Sequence, residues 1–227
     1  MISLLNNSSI RTMSDNLSLV ILSPLGYNYT MIKLGITGNI ASGKSLVESF
    51  LQEEGVVVID SDKIVHDLLE NDQRIINEVY RLFNSEGIDV RTEKDTISRE
   101  KVGKIVFRDK EKRKKLEDII HPVVQKRIER FFNENQDKKL VAVTVPLLFE
   151  ANMQDMFDYI IIVTVDRNTQ IDRLMQKRNL SKEEALSRIN AQMPQEEKVR
   201  KSDLIIDNSG SMESTKSQVK EFVGKLI

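Results

Sequence analysis

The eight residues Gly38-Asn39-Ile40-Ala41-Ser42-Gly43-Lys44-Ser45 set two glycines around four intervening positions and close on a lysine and a hydroxyl. They follow a short apolar run, residues 31–36, and precede a stretch in which Leu46, Val47, Phe50 and Leu51 share one helical face. The order strand, loop, helix matters physically. The glycines let backbone N–H groups turn inward around phosphate oxygens, and the helix N-terminus adds its partial positive charge. Lys44 then reaches the β and γ phosphates of a nucleoside triphosphate, and Ser45 can ligate Mg²⁺. The alternative is a glycine-rich turn with an incidental lysine, and the flanking strand and helix argue against it.

The rest of the chain repeats this alternation. Gly55 ends the first helix, and Val56-Val57-Val58-Ile59 is a continuous β-branched run stopped by Asp60, the pattern of a strand buried on both faces. Residues 140–145 and 159–165 have the same character. A short strand over 204–206 leads into Asn208-Ser209-Gly210 and a helix with Val219, Phe222, Val223 and Leu226 on its apolar face. This alternation predicts an α/β fold, a three-layer core whose parallel five-stranded sheet is covered on both faces. A parallel crossover needs only about a dozen residues, whereas 63–139 is far longer, so something is inserted there. Within it Leu116, Ile119, Ile120, Val123, Val124, Ile128, Phe131 and Phe132 recur at helical spacing, and Pro122 is expected to break or restart the helix. Ser181 and Glu184 form a capping box ahead of Ala185, Leu186, Ile189 and Met193, predicting a second small helical element after the fourth strand.

Composition narrows the function classes. Lys and Arg number 34 against 35 Asp and Glu, which gives no reason to expect counterion-release binding to nucleic acid. There is no Cys, and His66 and His121 are the only histidines. Disulfides, thiol catalysis and Cys-rich zinc sites are thereby excluded, and a reducing, cytoplasmic setting fits. No apolar run approaches the roughly 20 residues that cross a bilayer, so no membrane association is expected. Residues 1–30 are rich in Ser and Asn and lack periodicity, as a poorly ordered N-terminal extension would be, and Met31 is an alternative start.

Asp60-Ser61-Asp62 follows the second strand at the edge where open α/β proteins place their ligands. There a carboxylate can accept or orient the proton of an acceptor hydroxyl, and its neighbour can hold a water of the magnesium shell. In the plainer reading Asp60 ends the strand and Asp62 caps the next helix. Residues 166–179 should form a helix with Ile171, Leu174 and Met175 inward and Arg173 at the edge of the stripe. Arg173 and Arg178 can neutralise a transferring phosphoryl group, or belong to a solvated basic face favoured by the macrodipole. Arg188, Lys198, Arg200 and Lys201 are weaker candidates, more often surface charges. The charge run 108–115 reads as a solvated face or as an attractor of anionic substrates. His121 is either a ligand contact or a satisfied polar group at a helix break. The third strand runs into Pro146-Leu147-Leu148-Phe149-Glu150, without the Asp of motor ATPases, and no Asn-Lys-x-Asp guanine signature occurs.

Taken together, several segments resemble the dephospho-CoA kinases. They are residues 35–45, Ile59-Asp60-Ser61-Asp62, Ile105-Val106-Phe107, Leu116-Glu117-Asp118-Ile119-Ile120-His121-Pro122, Val145 through Glu150, Arg188-Ile189-Asn190-Ala191-Gln192-Met193 and Ile206-Asp207-Asn208-Ser209-Gly210. The chain departs from the family pattern at Asn39, Ser61 and Leu46, where Gly, Ala and Thr are usual. The resemblance implies a P-loop kinase core over about 31–62, 138–174 and 196–227, a helical acceptor insertion over about 63–137, and a lid over about 175–195. It implies transfer of the ATP γ-phosphate, with Mg²⁺, to the ribose 3′-hydroxyl of dephospho-CoA. Under it Asp62 is the catalytic carboxylate, with Lys44, Thr37 and Arg173 near the transferring phosphate. Gly38, Asn39, Ile40, Ala41, Ser42, Gly43, Ser45, Arg178 and Asn208 bind ATP. His121, Pro146, Leu147, Leu148 and Glu150 join Asp62 at the acceptor, and Ser45 holds the metal, with Asp60 acting through water. A monomer or weak homo-oligomer is expected. The rival readings are a shikimate- or gluconate-type kinase, which lacks the long insertion, and a nucleotide switch that hydrolyses ATP slowly without an acceptor.

Overall fold

A computed structural model of the protein describes residues 30–227, so the expectations for the N-terminal extension lie, Thr30 apart, outside the described residues. β1 (Ile32–Thr37), α1 (Lys44–Glu53) and β2 (Val57–Asp60) come first, followed by helices α2 (Ser61–Asn71), α3 (Gln73–Asn84), α4 (Arg99–Arg108) and α5 (Lys110–Glu134). The chain returns to the sheet with β3 (Leu140–Thr144) and β4 (Tyr159–Thr164). It closes with α6 (Arg167–Arg178), α7 (Lys182–Asn190), α8 (Gln195–Lys201), β5 (Leu204–Asp207) and α9 (Met212–Leu226). The fold is α/β, as the alternation of strands and helices predicts.

The sheet is parallel, in the order β2-β3-β1-β4-β5, with Leu34 opposite Ala142, Ile36 opposite Ile161 and Ile162 opposite Ile205. β1 is central. Its successors lie on both sides of it, which makes its carboxyl end the point where the winding direction switches and where such sheets receive ligands. One face is sealed by Val47, Phe50 and Leu51 of α1 and by Val219, Phe222 and Val223 of α9, packed on Leu34, Ile36, Ile161 and Val163. Burial of each such side chain is worth about 1.5–3 kcal/mol, so the N-terminus of α1 is held firmly over the end of β1.

Two strand expectations separate here. β3 is buried throughout, whereas all four residues of β2 are only half-buried, against the expectation for its β-branched run. The reason is position: β2 is an edge strand with a neighbour on one side only. Periodicity reports what a strand tolerates on its faces, not where it lies in a sheet.

The chain divides into two compact units, one of the described residues up to Ile59 with Asn135–Ile227, the other of Asp60–Glu134. The second is helical, with α5 packed against α2, α3 and α4. Pro122 does not break it: α5 runs unbroken for 25 residues with Pro122 inside. Burial explains the exception. Ile120, Val124, Ile128, Phe131 and Phe132 are buried, while Pro122 and Asp118, the residue whose carbonyl its missing N–H would have engaged, are both exposed. Packing holds the helix on both sides of a defect that water can solvate. A Pro122→Ala variant is expected to gain about 1–3 kcal/mol, read as a rise of several degrees in Tm; an unchanged or lower Tm would contradict this account.

The charge run 108–115 is not uniformly solvated. Lys112 Nζ lies 2.8 Å from Glu86 and 2.9 Å from Asp109, with its side chain 18% exposed. Hydrogen bonds to Glu86 and Asp109 raise its pKa, so it stays charged and ties the turn after α3 to the start of α5. Among the described residues no helix is long and apolar enough to cross a membrane.

Candidate active site

The loop between β1 and α1 is shaped by backbone conformations that few residues adopt freely. Gly43 caps α1 at φ 95°, and Ala41, which carries a side chain, sits at φ 60°, a strain of about 1–2 kcal/mol. Ser42 N donates to Asn39 O at 3.1 Å, closing the curl. Lys44 Nζ donates to Gly38 O at 2.8 Å and to Asn39 O at 3.2 Å, which keeps the ammonium against the first carbonyls of the loop. The exposed hydroxyl of Ser45 follows in the first turn of α1, where helical N–H groups have no intrahelical partner.

Groups from three later segments hold this loop from outside. Asn208, 3% exposed, donates from Nδ2 to Ser42 O at 2.8 Å and accepts from Thr215 Oγ1 at 3.0 Å. Arg173 donates from Nη2 to Asn208 O at 2.9 Å and from Nη1 to Ala41 O at 3.4 Å. Gln170 Nε2 donates to Ile40 O at 2.7 Å, Ile40 N donates to Gln192 Oε1 at 2.7 Å, and Asn39 Nδ2 donates to Met193 O at 3.0 Å. Ile40 and Ala41 also pack against the small cluster of Ile171, Leu174, Ala185 and Ile189, which joins α6 to α7. Gln170 and Gln192 are contacts that sequence reasoning did not single out. The only signal for Gln192 was its place in the motif over 188–193.

Capping explains why α6 presents Arg173 where it does. Asp166 accepts from Thr169 N at 2.9 Å. Hydrogen bonds from the Thr169 side chain and backbone hold the Asp166 carboxyl below its usual range. This contribution is present above the ordinary aspartate value and is lost as pH falls through the lower folded-state value. α7 carries the capping box read from Ser181 and Glu184. Met175, expected to face inward, is 38% exposed, because buried Gln170 shifts the inward stripe toward Ile171 and Leu174. Arg178 ends α6 exposed, about 140° round the helix from Arg173.

Residues 146–150 follow β3 in the same unit. Leu147 is 41% exposed, while Leu148 is fully buried and serves the core. Pro146 O accepts from Thr37 Oγ1 at 3.3 Å, so the buried last residue of β1 is bonded to the start of this loop. Glu150 forms an ion pair at 2.9 Å with Lys198, a residue expected to be a surface charge and in fact 0% exposed. A lysine directly after a pair of glutamates reads as a solvated helix face from sequence. Its partners, Pro146 O and Glu150, lie about fifty residues away in the chain, so no local pattern reports its burial.

In the helical unit, Asp60 is the N-cap of α2, its carboxylate accepting from Asp62 N at 2.8 Å. The capping role therefore falls to Asp60 rather than to Asp62, which stands in the first turn. His121 is half-buried within α5. Two side-chain atoms of the phosphate loop, Asn39 Oδ1 and Ser42 Oγ, are buried without a hydrogen-bond partner among the described residues, each at a cost of about 1–3 kcal/mol. Such costs persist where function needs the conformation. A cavity of about 380 Å³ lies beside Asn39, lined by Gln170, Gln192 and Asp166 among others but not by Lys44 or Ser45.

A family model described as dephospho-CoA kinase matches residues 32–214. A dephospho-CoA kinase of Listeria innocua is 40% identical over 198 residues, covering 86% of this chain and 96% of its own. One from Carboxydothermus hydrogenoformans is 44% identical over 188 residues, covering 82% and 90%. Among solved structures, the dephospho-CoA kinase of Campylobacter jejuni superposes with a TM-score of 0.66 at 28% identity, covering 85% of this chain and 96% of that one.

Proposed function

The chain belongs to the dephospho-CoA kinase family, and we propose on that premise that it transfers the γ-phosphate of ATP to the ribose 3′-hydroxyl of dephospho-CoA, giving coenzyme A and ADP in the cytoplasm. The observation that carries the chemistry is the loop over 38–45, curled at the end of the central strand with Lys44 in it and Arg173 on its carbonyls.

In this reading Lys44 Nζ exchanges the carbonyls of Gly38 and Asn39 for phosphate oxygens, and the N–H groups at the start of α1 receive the remainder. Arg173 acts from behind the loop, fixing the Ala41 and Asn208 carbonyls and adding positive charge beside the transferring group. Asn208 is committed to the loop backbone and borders the nucleotide through its own chain segment. Asp62 is the carboxylate that orients or deprotonates the ribose hydroxyl, supported by its place just after β2 and its match to the family motif. Pro146, Leu147, Glu150 and His121 receive the acceptor. Leu148 only shapes the turn from within the core.

The residues present suit Mg²⁺. Among the described residues no three His, Cys, Asp or Glu gather into a cage, and Mg²⁺ bound with a nucleotide needs only one or two protein oxygens besides phosphates and water. The exposed Ser45 hydroxyl would hold it, with Asp60 contributing through water. When bound, the ion would supply neutralisation of the charge on the transferring phosphate. Residues 63–137 are the proposed acceptor unit and 175–195 the proposed lid.

A coupled ADP-release assay tests the reading. With dephospho-CoA present, ADP should appear at least tenfold faster than with no acceptor, shikimate or gluconate. A rate indifferent to acceptor would point to a nucleotide switch, and a response to shikimate or gluconate to the rival kinase classes.

A further inference from the structure

We infer that Lys198 is a positioning residue that registers the loop over 146–150 against the phosphate loop. It is a full-length lysine side chain at 0% exposure on α8. A buried ammonium is sustained only where it is paired and hydrogen-bonded. Its two partners are the two ends of one short loop: Nζ donates to Pro146 O at 3.1 Å and pairs with Glu150 Oε1 at 2.9 Å. One cation therefore pins both ends of the turn that follows β3.

Each partner is also bonded onward. Pro146 O accepts from Thr37 Oγ1 at 3.3 Å, and Thr37 immediately precedes the phosphate loop. Glu150 Oε1 accepts from Met193 N at 3.2 Å, and Met193 O accepts from Asn39 Nδ2 at 3.0 Å, inside the phosphate loop. Two chains of hydrogen bonds thus leave Lys198 and arrive on either side of Gly38, one through β1 and one through the link between α7 and α8. The turn over 146–150 cannot slide relative to residues 37–39 without breaking charge-assisted bonds at a buried ammonium. In-line transfer makes this relevant, because a misplacement of about 1 Å between donor and acceptor costs about a hundredfold in rate.

The inference rests on the kinase reading above, and it differs from a merely structural role for a buried ion pair. A structural pair affects how much protein is folded. A positioning pair affects how well the folded protein aims the phosphoryl group. Misalignment lets water compete: its oxygen attacks the γ-phosphorus, the bond to the β–γ bridging oxygen breaks, ADP and inorganic phosphate leave, and the water's proton goes to solvent.

The test compares wild type, Glu150→Gln and the double variant Lys198→Met/Glu150→Leu, scoring ADP and phosphorylated acceptor separately alongside Tm. Glu150→Gln keeps shape and removes the charge. The double variant removes both charges, an exchange that commonly preserves stability. Both are expected to turn over about ten- to a hundredfold more slowly per folded molecule, with ADP outrunning product, while the KM for ATP changes less than about threefold. Wild-type turnover with one ADP per product in either folded variant overturns the inference, as does a loss of rate that tracks the loss of folded protein alone. Absence of acceptor-dependent turnover in the wild type would instead overturn the kinase reading.

Discussion

Asp62→Asn is expected to lower turnover by about two orders of magnitude or more, while the affinity for ATP stays within about threefold. The carboxylate sits in the first turn of α2, two residues beyond the cap Asp60, so it is presented from a helix rather than from a loop. Asn keeps the size and the hydrogen-bonding reach of Asp but can neither accept a proton nor carry the negative charge that aligns a hydroxyl for attack. The capping bond from Asp62 N to Asp60 Oδ1 at 2.8 Å involves the backbone of residue 62, so the substitution leaves it in place. A thermal melt of the variant run alongside separates lost chemistry from lost fold. Single-turnover kinetics with saturating ATP and dephospho-CoA give the number, and an unchanged rate would remove Asp62 from the mechanism.

Gly43→Ala should be nearly as damaging, by a route that begins in stability and ends in binding. At φ 95° the backbone is already in the region that disfavours a side chain. An added Cβ would also clash with Asn208 Nδ2, so Asn208 must move and release Ser42 O, a buried carbonyl that it holds at 2.8 Å. Backbone strain and the lost buried bond together amount to about 2–4 kcal/mol. Much of this falls on the loop conformation that receives phosphates, so ATP affinity should drop by about two orders of magnitude. Gly55→Ala is the control. Its φ is 83° but nothing lies within 4 Å of the added carbon, so it should lose about 1 kcal/mol and no ATP affinity. Titration calorimetry on both variants decides the matter, and equal affinities would mean that the Asn208 contact is not what shapes the loop.

Much of the fold could be read in advance because its signals are local. The run over 140–145, the capping box at Ser181 and Glu184, and the stripe of Val219, Phe222 and Val223 each report an element through nearest-neighbour chemistry, and each appears where expected. The misreadings share a cause. Pro122 lies within an unbroken helix, β2 is half-buried, Met175 is exposed and Lys198 is buried, because in each case the outcome depends on what a distant segment packs against that residue. Propensity has no information about that partner.

For the phosphate loop itself, sequence alone determined its existence, its place between a strand and a helix, and the lysine and hydroxyl that end it. Those depend on glycine conformation and on order along the chain. Tertiary structure alone decided that Asn39, Ile40, Ala41 and Ser42 are gripped by Met193, Gln192, Arg173 and Asn208, more than 130 residues later in the chain. Such bonds form only where packing removes water from both partners, and no window of sequence contains both.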